Sequence, residues 1–129
     1  MDLDSAGANA PMSLWVAVQA GCALHDASSV RGALELTAPL RGQWTRMTRA
    51  TAWAVIAALE GDPEAAGAVG SALDSWTAAD LPLDHALATL CSLHVLSAGE
   101  VPVADLERAR AYLENLQATS LLRLYDAVP

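Results

Sequence analysis

Apolar positions along this chain recur at steps of three and four residues, the spacing of one helical face, and no stretch alternates with the period of two that marks a strand. Pro11 suits a helix's first turn, and Met12 to Leu24 then reads as a first helix with Leu14, Trp15, Val18, Cys22 and His25 on one broad stripe. Residues Asp26 to Ser29 offer N-cap side chains. The second helix runs from Ser29 to Ala38, turns Val30, Ala33, Leu34 and Leu36 inward, and stops at Pro39. A third, from Gly42 to Glu60, is apolar or small on every face, so it is expected to be packed on more than one side and to organise the fold. Its inner stripe is Trp44, Met47, Thr51, Val55, Ala58 and Leu59, while Trp53 and Ile56 face a second neighbour.

Asp62-Pro63 caps and opens a fourth helix that reaches Ala79, with Ala66, Val69, Ala72, Leu73 and Trp76 inward. Its Gly67 and Gly70 cost helix propensity and predict a close helix contact. Asp84 caps a fifth helix, His85 to Ala98, which is again apolar nearly all round and stops at Gly99. The sixth, residues 103–116, turns Leu106, Ala109, Leu113 and Leu116 in and Asp105, Glu107, Arg108, Arg110 and Glu114 out. A short last helix from Ser120 to Ala127 supplies Leu121, Leu122, Leu124 and Tyr125 as a cap. Residues 1–10 lack periodicity and read as a flexible lead-in, leaving 11–129 as one domain.

Three segments share a small-x4-small-small-Leu pattern ending at Leu24, Leu59 and Leu93, about 34 residues apart. That is the period of tetratricopeptide-type hairpins, and it predicts an all-α stack of six or seven antiparallel helices, a TPR-like superhelix in which the three leucines are equivalent.

Composition narrows the function. Hydrophobic residues make up 53% of 129, which excludes a disordered chain, and no run reaches the roughly 18 apolar residues of a membrane span. The start Met-Asp-Leu-Asp lacks the basic flank of a secretory signal, so the expected location is cytoplasmic. The net charge is −8, with seven arginines and no lysine, and a phosphate backbone would find no footprint on it. A protein or peptide partner with basic residues suits that balance, as does pairing of two copies.

Candidate chemistry is sparse. Cys22-Ala-Leu-His25 and Cys91-Ser-Leu-His94 each place Cys and His on one helical face, an invitation to tetrahedral zinc. Two repeats of a stack would hold those pairs about 20 Å apart, too far for one ion. Both cysteines then read as small core residues. No nucleophile elbow or paired-carboxylate arrangement is present, so neither enzyme activity nor a cofactor is expected. Trp44 lies among Arg41, Arg46 and Arg49, and an aromatic beside cations is a common make-up of binding hot spots. Trp44, Arg46 and Arg49 are therefore the candidate partner-binding residues. A small-ligand pocket between helices is one alternative role, and a zinc-binding helical protein using Cys22, His25, Cys91 and His94 is the other.

Ala72-Leu-Asp-Ser-Trp76 is followed by Leu81-Pro-Leu-Asp-His-Ala-Leu-Ala88, then by Leu106-Glu-Arg-Ala-Arg-Ala-Tyr112 and Leu121-Leu-Arg-Leu124. This succession resembles the C-terminal tetratricopeptide-like repeats of bacterial, actinobacterial-type signalling regulators. There, repeats are joined to ATPase modules and to LuxR-type, SARP-type or nucleotide cyclase domains. The chain has neither a phosphate loop of the G-x4-G-K-S/T kind nor a basic helix-turn-helix. The resemblance thus implies the scaffold or sensor part of a regulator of transcription or signal transduction, without catalysis of its own.

Overall fold

The computed structural model describes residues 3–127, with side chains from Met12 onward except Ala98, Leu124, Tyr125 and Ala127. Seven α-helices follow one another: α1 (Leu3–Leu24), α2 (Ala27–Leu36), α3 (Gln43–Leu59), α4 (Ala65–Ala78), α5 (Pro82–Val95), α6 (Val103–Asn115) and α7 (Thr119–Ala127). A single 3-10 turn, Ala98–Glu100, joins α5 to α6. Among the described residues there is no strand, and no helix is long and apolar enough to cross a membrane.

Several boundaries differ from expectation for local reasons. Helical backbone is described from Leu3 rather than Met12, so residues 3–10 of the expected lead-in belong to α1. Helix α5 opens one turn early because Pro82 itself occupies the first helical position, which leaves Asp84 in the first turn instead of at the cap. It also closes early, with Leu96 extended as its C-cap, so Gly99 falls in the following 3-10 turn. The start of α2 is capped as its sequence suggests. Asp26 accepts the Ser29 backbone N–H at 3.1 Å and the Ser29 hydroxyl at 2.6 Å, and these bonds hold its carboxyl below the usual carboxylate range. The proposed cap role of Leu124 and Tyr125 lies outside the described residues.

Hairpins α1–α2, α3–α4 and α5–α6 succeed each other as the repeat reading has it, but α1 also packs directly on α5. In an open stack each hairpin meets only its neighbours. Here the first and third hairpins also meet, through α1 and α5. The three leucines are accordingly not equivalent: Leu24 is 76% exposed, Leu59 half-buried and Leu93 buried. The central element is α5, which packs against α1, α3, α4, α6 and α7. From His85 to Leu93 every residue of it except Leu87 is buried.

Hydroxyls inside such helices need partners, and they find them locally. Thr48 and Thr51 on α3 and Thr89 and Ser92 on α5 each donate to the carbonyl four residues back, at 2.8–3.0 Å. Thr51 Oγ1 then accepts the Trp76 indole N–H at 2.9 Å, pinning α4 to α3. Trp15 stacks on Trp76 with ring centroids 5.6 Å apart, and Trp44 meets Trp76 edge-on at 6.3 Å. The close backbone approach is at Gly21, not in α4. A Cβ on Gly21 would stand 2.2 Å from Val30 Cγ2, whereas Gly67 and Gly70 have open space around them.

Candidate functional site

The predicted trio of Trp44, Arg46 and Arg49 does not form one free surface. Trp44 is half-buried against Trp76. Arg49 reaches back to the end of α2, where Nη1 donates to the Leu34 carbonyl at 3.1 Å and to Thr37 Oγ1 at 3.4 Å. Arg41 Nη1 likewise donates to the carbonyls of Ala38, Pro39 and Leu40, each at 3.2 Å. Two of the three clustered cations therefore donate to carbonyls at and just beyond the negative end of α2. Of the predicted trio, only Arg46 is exposed.

What does reach solvent is Trp53. Expected against a second neighbour, it is instead 52% exposed in mid-helix. Arg46, Ala50, Trp53, Ala57 and Glu60 recur at three- and four-residue steps, so they share one face of α3, and Ala57 is its half-buried member. Beyond Glu60 the exposed turn carries Asp62 and Glu64, and Glu60 pairs with Arg31 of α2 at 2.7 Å. The face thus runs from a cation, over an indole flanked by two alanines, to an acidic end.

A second feature was hidden by sequence distance. His85 Nε2 and Asp105 Oδ1 lie 2.8 Å apart, both buried, joining α5 to α6. A carboxylate oxygen can only accept, so Nε2 carries the hydrogen. Arg108 Nη1, at the surface, spans Asp105 Oδ1 at 3.4 Å and Thr77 Oγ1 at 3.2 Å. Asp105 was expected to face out on the strength of its type alone. With both members sealed, the pair can fasten two helices but offers no reacting atom to a substrate. Sequence separation of 20 residues gave no signal for it.

The α1–α5 contact also corrects the cysteine geometry. Cys22 and Cys91 lie on two helices packed directly against each other, and both are buried free thiols. The influence of the Cys91 side chain, followed by burial, pushes the Cys22 thiol far above its ordinary range. One turn on, burial and the like charge of His25 lower the His94 imidazole. Among the described residues, however, no three His, Cys, Asp or Glu side chains group so as to hold a metal ion. Elsewhere in the core, the Trp15 indole N–H is buried without a hydrogen-bond partner.

No family model, curated protein or solved structure matches this chain.

Proposed function

We propose that this domain is a non-catalytic protein-interaction module, the scaffold or sensor part of a bacterial signalling or transcription regulator, and that the outer face of α3 makes the contact. The observation that carries this reading is Trp53, a large aromatic left 52% exposed at the middle of a helix whose other faces are buried. Burying such a ring repays a partner far more than burying a scattered aliphatic, and Trp and Arg are the residue types over-represented at hot spots. Ala50 and Ala57 leave room on either side for a partner helix or strand to come close. The acidic end at Glu60, Asp62 and Glu64, with the net charge of −8, suits a partner whose own surface is basic at that rim. A cytoplasmic setting is the natural one for two free thiols held this way.

The test is site-specific photocrosslinking in cells of the natural source, with a benzophenone side chain in place of Trp53 and, as control, in place of Ser71 on the exposed side of α4. A discrete crosslinked product from position 53, lost when Arg46→Glu is added, supports the reading; a product of doubled mass makes the partner a second copy. Equal, diffuse labelling from both positions overturns it.

A further inference from the structure

Helix α1 buries Leu14, Trp15, Val18 and Cys22 on the side that packs against α2, α3 and α5. Its opposite face carries Met12, Val16, Ala20, Ala23 and Leu24 at three- and four-residue steps. All five are exposed, Met12 at 58% and Val16 at 56%. An apolar row about 18 Å long is thus left in water. No charge interrupts it, for residues 5–25 hold no Asp, Glu, Lys or Arg, the longest such run in the chain. Single exposed apolar side chains are ordinary, but a continuous row of them marks a contact.

Charge decides what covers the row. A basic partner gains nothing from a face without carboxylates, and the acidic turn at Glu60, Asp62 and Glu64 serves it better. Membrane surfaces attract amphipathic helices through cations on the polar face, whereas this chain has a net charge of −8 and no lysine. Two copies, each carrying that charge, repel least where both present neutral surface. The row is also self-complementary. Laid antiparallel about a two-fold axis at the level of Val18, Val16 of each copy meets Ala20 of the other, and Met12 meets Leu24. We propose that α1 pairs antiparallel with α1 of a second copy through this row, independently of the contact on α3. A face of this length makes a small interface, so the dimer is weak, with a Kd of about 1–100 µM.

Sedimentation of the full reduced chain from about 1 µM to 1 mM tests this. The expected result is a mass that rises to twice that of the chain. Association should tighten severalfold between about 0.05 M and 0.5 M salt, as repulsion between the acidic copies is screened. Contact with a basic partner weakens with salt instead, so the two readings fail separately. Val16→Glu and Ala20→Arg, both at exposed positions, should each weaken the dimer about tenfold or more at unchanged helix content. Mixing the two variants restores association by setting opposite charges against each other, and Trp53→Ala leaves it unchanged. A chain still monomeric at about 1 mM overturns the proposal without reference to any variant. So does a dimer that survives Val16→Glu, or a mixture that associates no better than either variant alone. A dimer dissolved by Trp53→Ala overturns it by placing the second copy on α3, and a monomer that floats with phosphatidylcholine vesicles does so by giving the row to lipid.

Discussion

Helices α3 and α5 read almost alike, each apolar or small on nearly every face, yet the fold treats them differently. Helix α5 is enclosed by five others and leaves only Leu87 partly open between His85 and Leu93. Helix α3 is flanked by α1, α2, α4 and α5 but keeps a face to solvent, with Trp53 at its middle. What separates them is not hydrophobicity but polar chemistry. The enclosed helix carries a histidine that only a second helix can satisfy, while α3 carries hydroxyls served by its own carbonyls and by Trp76. A buried group needing a distant partner marks the centre better than a run of alanines does.

That contrast is sharpest at His85. His85→Ala leaves the Asp105 carboxylate buried without its imidazole, with Arg108 reaching it only from the surface at 3.4 Å. Removing one partner of a buried pair typically costs about 3–5 kcal/mol, a large part of the roughly 5–15 kcal/mol that holds a domain together. Urea unfolding of the variant measures it. A loss below about 1 kcal/mol would place His85 and Asp105 in water and remove α5 from the centre.

Hydroxyls on the two helices separate next. Thr51→Val removes the acceptor of the buried Trp76 indole N–H and is expected to cost about 1–3 kcal/mol. Thr89→Val loses only a bond to its own helix, and the expected cost is about 1 kcal/mol or less. Equal effects in denaturant titrations would show that the cross-helix bond on α3 contributes nothing special.

Much of the helix content was legible, because three- and four-residue apolar steps, the stop at Pro39 and the prolines at or just before the starts of α4, α5 and α6 are local signals. The ends were less so. Helices α1, α4 and α6 are followed by His25, Asp80 and Gln117 in the left-handed region, with φ of 53°, 57° and 54°, where a reader looks for glycine. The closure of α1 on α5 was invisible, since a repeat pattern states what recurs and not whether the ends meet. Exposure of Trp53 and burial of Asp105 each ran against residue type, and only the position of a neighbouring helix decides such cases. Arg41 and Arg49 showed as a charged cluster, and nothing local revealed that carbonyls at and just beyond the end of α2 would claim them.

Glycines give the same lesson with opposite signs. Gly21→Ala drives a methyl into Val30, a buried and β-branched side chain stiff about χ1, and should destabilise by about 1–3 kcal/mol. Adding Val30→Ala should recover less than it costs on its own, a coupling that a double-mutant cycle reads. Gly67→Ala meets nothing within 4 Å and should stabilise α4 by about 0.5–1 kcal/mol. Destabilisation by Gly67→Ala would restore the close contact in α4 that open space now denies.

The smallest stability effect falls on the residue most important to the proposed function. Trp53→Ala should change unfolding free energy by no more than about 0.5 kcal/mol, since half of the ring is already in water and its face of α3 has no covering helix. On α5, truncating a ring of that size would open a cavity costing about 3–5 kcal/mol. Partner binding should respond the other way, with about 2 kcal/mol or more lost if the indole is the anchor. Measured together, the two quantities distinguish a structural tryptophan, for which both free energies fall in step, from an interaction residue, for which only binding does. A large loss of stability would return Trp53 to the core and leave the outer face of α3 without its candidate contact.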